Sequence, residues 1–245
     1  MNARGSGPSL AAMVLAASPL CAIAAEPEIP VYTAQYAVEY KGKNLGSSAF
    51  NVTHDAAQNL YEFTSTTSAK GILKLARPDP VIERSHFKVV DGRIRPVEFW
   101  YEDGSRKGED NRHVLFDWDR HIAVVTDENG RREVPLDATS LDEGSLHVAL
   151  MQDLIQTGKP GQYRIADEQM AQAYGYVDNG EAEIETGLGK LATHSYVQQR
   201  EGSSRSLWIW VAPELSFLPV RLEQRKNGEV TTVLTLVSVE GVQKK

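Results

Sequence analysis

Apolar and polar side chains alternate along most of this 245-residue chain, and short turns interrupt the alternation. In the first such segment, 31–40, the residues that share one face are Tyr32, Ala34, Tyr36, Val38 and Tyr40. Successive side chains of a β-strand point to opposite faces of the sheet, so this period of two predicts a half-buried strand. A helix would scatter the same residues around its axis. The alternation therefore restricts the chain to a mainly β fold.

Tight turns separate the alternating segments. After a first turn over 41–46, the dipeptides Asp91-Gly92, Asn129-Gly130 and Asn227-Gly228 are typical of β-hairpins. Strands joined by such short turns run antiparallel, because a parallel pair needs a long crossover. The strand count predicts one large, strongly curved antiparallel sheet, either a barrel or a half-barrel. The later predicted strands are 48–54, 60–67, 81–90, 94–102, 112–118, 122–126, 131–136, 161–171, 174–186, 191–200, 205–211, 218–226 and 230–239.

One segment, 141–157, has helical spacing instead. Ser140 and Glu143 fit a capping box at its start, and Gly158 followed by Pro160 would end it. We expect its leucines to pack against the sheet. The residues that recur at helical spacing are Leu146, Ala149, Leu150, Asp153 and Leu154.

Residues 1–25 have the three parts of a secretory signal. Arg4 is basic, residues 10–20 are apolar, and residues 22–25 are small enough for a signal peptidase. The apolar run is shorter than the ~20 residues that a membrane-spanning helix needs, and no later segment is suitable. We therefore expect a removed signal over 1–25 and a single antiparallel β domain over 26–245, located in the periplasm with no transmembrane segment.

The only cysteine, Cys21, lies inside this signal. Lipidation would need a small residue before it, but Leu20 stands there, so we expect a soluble product and not a lipoprotein. The mature chain would then have no disulfide, no catalytic thiolate and no cysteine metal site.

The charge balance limits the possible partners. The chain has 26 basic and 33 acidic residues, which gives a net charge of −7. A nucleic-acid-binding protein usually presents a basic face, so nucleic acid is not an expected partner. The same balance argues against docking onto anionic lipid by electrostatics alone.

Motifs for catalysis or metal binding are weak. The closest cluster, His113, Asp117, Asp119 and His121, is better explained by a polar hairpin than by a metal site. The residues around Ser145 lack the second glycine of a nucleophile elbow. We predict no catalytic residue, no metal and no cofactor.

Two further sequence features have structural interpretations. The turn over 187–190 lacks the spacing of a phosphate loop. The adjacent carboxylates Glu109-Asp110 and Asp142-Glu143 are interpreted as solvated surface.

Large apolar residues give two open alternatives. Trp208 and Trp210 share one strand face, so they could line a concave groove for a lipid tail or simply pack in the sheet. The segment 70–77 could form a flap at the mouth of a barrel or pack in the core. On the groove and flap alternatives, the ligand-binding residues would be Trp100, Trp208, Trp210, Ile72, Leu73 and Leu75.

Several short motifs together resemble a bacterial exported family, domain of unknown function 3108. They are a Tyr-rich first strand with the turn 41–46, Arg95-Pro96, Phe116-Asp117, 136–140 before the helix, 207–210 and 218–221. The family has no assigned reaction, so the resemblance implies export and β architecture without catalytic residues. The pattern is also similar to the periplasmic lipoprotein-carrier fold, although a fold does not decide a function.

The sequence leaves three functions open. The first is a non-enzymatic carrier or binding module for an apolar ligand or another envelope component. The second is an envelope scaffold that binds a protein through sheet edges or loops. A third, an envelope hydrolase, would require a histidine, a carboxylate and a hydroxyl to converge in a cleft, and His113 and His121 are its candidates.

Overall fold

We describe the fold from a computed structural model, which covers residues 29–166, 172–199 and 202–242. The expected signal over 1–25, together with Cys21, lies outside these residues. The elements are β1 (Tyr32–Tyr40), β2 (Lys43–Asp55), β3 (Leu60–Ala69), α1 (Leu73–Ala76), β4 (Val81–Val90), β5 (Arg93–Glu102), β6 (Arg112–Asp117), β7 (Ile122–Asp127), β8 (Gly130–Pro135), β9 (Ser140–Leu141), α2 (Glu143–Thr157), β10 (Tyr163–Ile165), β11 (Gln172–Thr186), β12 (Gly189–Gln199), β13 (Arg205–Ala212), β14 (Leu218–Lys226) and β15 (Glu229–Glu240). A 3₁₀ turn, Pro213–Leu215, joins β13 to β14.

The described strands form one sheet in the order β8-β7-β6-β5-β4-β3-β2-β1-β15-β14-β13-β12-β11-β10-β9. Nearly every pair is antiparallel, which confirms the mainly β, antiparallel prediction. The exception is β9 with β10, which run parallel because the crossover between them contains α2. The first turn is shorter than predicted, since β2 already begins at Lys43. The strand predicted over 161–171 is reduced to Tyr163–Ile165, and part of that range lies outside the described residues.

The sheet is open. Its two ends are β8 and β9, and no ladder joins them within the described residues. The expected barrel or half-barrel is therefore not confirmed. Within the same residues, no helix has the length and apolar character needed to cross a membrane.

The main core lies on the sheet face that α2 covers. Tyr36, Phe50 and Phe63 come from three neighbouring strands, and the rings of Tyr36 and Phe50 are 4.7 Å apart. The Tyr36 hydroxyl also donates to the carbonyl of Pro219 on β14, at 2.7 Å. A second cluster fills β5–β8 around Phe99.

Helix α2 contacts distant parts of the sheet. Leu146 belongs to the core cluster that contains Phe63 on β3. Leu150 and Leu154 pack instead with Tyr196 on β12 and with β13. The prediction that these leucines pack against the sheet is confirmed. One helix therefore joins strands that stand far apart in the sheet order.

The predicted helix end is confirmed, but the predicted cap is wrong. Gly158 ends α2 with a left-handed φ of 71°, a conformation that glycine adopts without steric cost. At the other end the N-cap is Asp142, and Ser145 completes the capping box. Ser140 cannot cap the helix because it lies in β9, where its hydroxyl accepts from the backbone of Asp137.

The start of α2 also approaches the sheet very closely. A Cβ atom added at Gly144 would lie 2.9 Å from the Cβ of Ser85 and 3.0 Å from a ring carbon of Phe63. Only glycine permits this approach, which brings the N-terminus of α2 directly against β3 and β4.

Candidate functional site

The six residues that the sequence suggested for ligand binding do not meet in one place. Trp208 and Trp210 do share a face of β13, with ring centroids 6.1 Å apart. The guanidinium of Arg225 covers Trp208 at 3.9 Å from the ring centroid. Trp100 lies on β5, where its ring stacks on His113 at 5.3 Å. Six strands (β4, β3, β2, β1, β15 and β14) separate β5 from β13.

The other three candidates lie in and beside α1. Ile72 is 75% exposed and Leu75 is 77% exposed, whereas Leu73 is half-buried. The alternative that the segment 70–77 packs in the core is therefore wrong for Ile72 and Leu75. Both side chains project from the connection between β3 and β4.

The histidine candidates do not converge either. His113 Nε2 lies 2.7 Å from a carboxylate oxygen of Glu98 on the neighbouring strand. His121 occupies a turn with a positive φ of 55°. In the described part of the chain, no three His, Cys, Asp or Glu side chains form a group that could hold a metal ion.

A buried polar network lies under the N-terminus of α2. Asp142 accepts a hydrogen bond from the Ser85 hydroxyl at 2.8 Å and another from the backbone of Ser145 at 2.7 Å. Burial raises the pKa of Asp142 to about 7. The sequence-based interpretation of this carboxylate as solvated surface is wrong, because Asp142 and Ser85 have no exposed area. The network holds the helix on the sheet and is closed to a substrate.

Two more carboxyl groups lie beside this network. Arg112 on β6 pairs with Glu143 at the start of α2. Desolvation and the charge of Glu143 raise the pKa of Glu83 on β4 to about 7, while Arg112 opposes the rise. Asp142, Glu83 and Glu143 are therefore neighbouring carboxyl groups. Burial favours the protonated forms of Asp142 and Glu83, while Arg112 favours the charged form of Glu83.

His147 packs against two core aromatic rings that also contact each other. Its ring centroid lies 5.6 Å from that of Phe50 and 5.5 Å from that of Phe63. Burial lowers the pKa of His147 to about 4, from an ordinary value of 6.5. The imidazole is therefore neutral at pH 7 and acts as an aromatic core residue.

Replacing His147 by Phe tests this role. Between pH 6.5 and about 4 the unfolded chain binds a proton at His147 that the folded chain excludes, so the native protein loses stability as pH falls through this window. We expect the His147→Phe variant to lack this loss. Its free energy of unfolding, measured in urea at pH 7, 5.5 and 4.5, should rise relative to that of the native protein as pH falls. A constant difference at all three values would contradict the assignment.

A cavity of about 470 Å³ opens at the other end of α2. Its walls come from the β4–β5 turn, the start of β5, one face of α2 and the segment before β10. Ile94, Leu141 and Ala149 form its apolar part. The polar residues that line it are Asp91, Arg93, Thr139, Gln152, Asp153, Gln156, Gln162 and Tyr163. We call this cavity the α2 groove.

Two side chains give the α2 groove its chemistry. Asp153 accepts a hydrogen bond of 2.6 Å from the Tyr163 hydroxyl, which in turn accepts from the backbone of Gly161. Desolvation raises the pKa of Asp153, while the Tyr163 bond and the charge of Arg93 oppose the rise. Gln152 is only 6% exposed, and its Nε2 has no hydrogen-bond partner among the described residues. The groove thus combines a fixed carboxylate with a buried, unused amide donor.

Sequence reasoning did not select these residues. Its one available signal was Asp153, a charged residue within the apolar spacing of α2. Gln152 and Tyr163 gave no signal, because their role depends on how α2 lies against β5 and β10.

One family model matches most of the chain. It is described as a protein of unknown function (DUF3108), and the match covers residues 35–235. This confirms the resemblance drawn from the short motifs. No curated protein matches the chain.

Two solved structures show remote similarity. One is a protein described as exported, with a YmcC-like fold, from Bacteroides fragilis; it has 9% identity and a TM-score of 0.38, with 87% of this chain and 97% of that chain covered. The other, from Parabacteroides distasonis, is described as a lipoprotein; it has 9% identity and a TM-score of 0.36, with the same shares covered. Similarity this low carries no argument about function.

Proposed function

Since the chain belongs to the DUF3108 family, which has no assigned activity, we propose from its own chemistry that it is a non-enzymatic binding module of the bacterial cell envelope. In this proposal the signal over 1–25 directs the chain to the periplasm. The sheet curves around α2, and the α2 groove holds a polar envelope component. The carrier hypothesis is kept, with its ligand moved from the tryptophans to the groove.

The observation that carries the proposal is the amide of Gln152. A buried donor without a partner costs roughly 1–3 kcal/mol, so such groups are rare in native proteins and call for a reason. Nε2 itself is closed to solvent, so a ligand oxygen in the α2 groove would supply the missing acceptor after the Gln152 side chain rotates toward the groove. Asp153 beside it offers a carboxylate that can accept from a ligand hydroxyl or amine.

The polar lining favours one class of ligand. An amide donor and a carboxylate acceptor suit a molecule that carries both carbonyl and hydroxyl groups, as envelope glycans and their attached peptides do. A lipid tail would leave these groups unpaired. The apolar sheet face is also already occupied by α2, with Leu146 and His147 packed on it. An apolar ligand therefore has less support than a polar one.

The scaffold alternative has less support at the open sheet edge. The edge strand β8 carries Arg131, Arg132 and Glu133, and it ends in Pro135. Charged residues and proline at an edge oppose the addition of a further strand. Partner binding through β8 would thus work against the composition of that strand.

Replacing Gln152 by Leu separates binding from stability. Leucine removes the unused donor and keeps a similar volume, so we expect the free energy of unfolding without ligand to stay equal or rise. Affinity for the ligand should fall about tenfold, as the loss of one buried hydrogen bond of ~1.4 kcal/mol predicts.

The measurement has two stages. Native mass spectrometry of the protein purified from the periplasm would detect a bound mass, and titration with a digest of envelope glycan would give affinities. Gln198→Leu is the matched control, since Gln198 is a buried glutamine on β12 outside the groove. Equal affinity of the native protein and Gln152→Leu, or no binding by the native protein, would overturn the proposal.

A further inference from the structure

We propose that one end of the sheet docks the protein onto the surface of an anionic lipid bilayer. The surface consists of the β1–β2 turn with Tyr40, Lys41 and Lys43, and of the segment 70–77 that contains α1. We call it the basic rim. This inference is independent of the α2 groove, and the two can fail separately.

The sheet register brings the two parts of the basic rim together. Gly46 near the start of β2 pairs with Ala69 at the end of β3. Just beyond this pair, the backbone nitrogen of Lys70 donates to the carbonyl of Leu45 at 2.7 Å. The β1–β2 turn and the segment 70–77 therefore leave the sheet at the same end.

The basic rim is positive although the chain is acidic overall. Residues 40–43 and 70–77, which form the rim, contain five basic side chains and no Asp or Glu, with Glu39 and Asp79 just outside them, in a chain of net charge −7. Arg77 is held by Asp103 through a salt bridge of 2.9 Å. The other four are lysines with exposed side chains, which make no salt bridge in the part of the chain that the structure describes: Lys41, Lys43, Lys70 and Lys74.

Two large aliphatic side chains project from the same surface. Ile72 and Leu75 have exposed fractions of 75% and 77%, higher than those of all the other exposed large hydrophobic residues described. The backbone nitrogen of Leu75 donates to the carbonyl of Ile72 at 3.1 Å, which closes one helical turn. Residues three apart on a helical turn lie on the same side. Both side chains can therefore insert into the same partner surface.

A bilayer fits this surface better than a protein does. A stable protein interface buries about 800 Å² on each partner, and two side chains on one helical turn are too small for that. A bilayer interface requires only a shallow apolar insertion with basic groups at the headgroup level. Each lysine near an anionic surface contributes about 1 kcal/mol. Net charge argues against a purely electrostatic contact, but here the basic charge is local and is combined with insertion.

Vesicle co-sedimentation of the mature protein tests the proposal. We expect it to sediment with vesicles of phosphatidylethanolamine and phosphatidylglycerol, to bind phosphatidylcholine vesicles much less, and to release as salt rises. The double variant Ile72→Asp/Leu75→Asp and the double variant Lys70→Glu/Lys74→Glu should each lose at least about tenfold in affinity. Because these side chains are exposed, the variants should fold normally, which circular dichroism would verify.

Val177→Asp is the matched control. Val177 is 65% exposed on β11, away from the basic rim, so its replacement adds one carboxylate, half the charge of the Ile72→Asp/Leu75→Asp variant, at another exposed aliphatic position. This variant should bind vesicles like the native protein. The proposal would be overturned by absence of binding to the anionic vesicles, by equal binding to both lipid compositions, or by unchanged binding of the two rim variants. Crosslinking in cells that gives a protein partner at Ile72 and no lipid dependence would also overturn it.

Discussion

Replacement of Leu150 by Ala should lower the free energy of unfolding by about 2–5 kcal/mol, the range observed when a buried leucine is truncated. Leu150 is almost fully buried and packs with Tyr196 and Ile209. Its loss would open a cavity between α2 and the β12–β13 part of the sheet, whereas Leu146 would still hold the helix on β3. We therefore expect a large effect from this one contact.

Urea denaturation followed by circular dichroism and tryptophan fluorescence would measure the loss of stability in the Leu150→Ala variant. Ile155→Ala is the control, because Ile155 belongs to the same helix but is 38% exposed; its replacement should cost well under half as much. If the two variants were destabilised equally, the contact of α2 with β12 and β13 would not have the importance that the packing suggests.

Replacement of Asp142 by Ala should lower the free energy of unfolding by about 2–4 kcal/mol, because it removes two stabilising contributions at once. The N-cap of α2 would be lost, at a cost of roughly 0.5–2 kcal/mol. The Ser85 hydroxyl would also remain buried without its acceptor, at roughly 1–3 kcal/mol. Asp142→Asn should be nearly neutral at pH 4.5, where the buried carboxyl group is protonated, since asparagine caps helices as well as aspartate and can still bond Ser85.

The same pair of variants gives a pH signature. The pKa of Asp142 is about 7 in the folded chain against 3.8 in the unfolded chain, so the folded state holds more protons between these values. The free energy of unfolding should therefore decrease as pH rises from about 4 to about 7, and become level above that. Asp142→Asn should weaken this decrease. Glu83 acts in the same direction and remains in the variant, and Glu143 and Arg112 also face the network, so part of the dependence stays.

Unfolding curves of the native protein and Asp142→Asn at pH 4.5, 6 and 7.5 would make the comparison. The free energy of unfolding of the variant should rise relative to that of the native protein as pH rises. Parallel curves over this range would contradict the buried, protonated state of Asp142.

Short-range sequence patterns were sufficient to predict much of the secondary structure. Alternation in 31–40 predicted β1, and Asp91-Gly92 and Asn227-Gly228 stand at the observed hairpin turns. Leucine spacing and Gly158 predicted the body and end of α2. These features depend on interactions between residues a few positions apart, which is why a sequence contains them in readable form. Even the cap was missed by only two residues, since Ser140 and Asp142 are both good caps and only the extent of β9 separates them.

What the sequence alone determined is which side of each strand and helix turns away from water, because that depends on residue type and period. Which buried sides then meet is decided by the tertiary structure. The α2 groove joins Gln152 to Tyr163 and Ile94, and the basic rim joins Lys41 to Leu75. Such contacts depend on sheet register and on the path of α2 between β9 and β10. Period and composition do not contain this information, since the same alternating strand can pair with any neighbour.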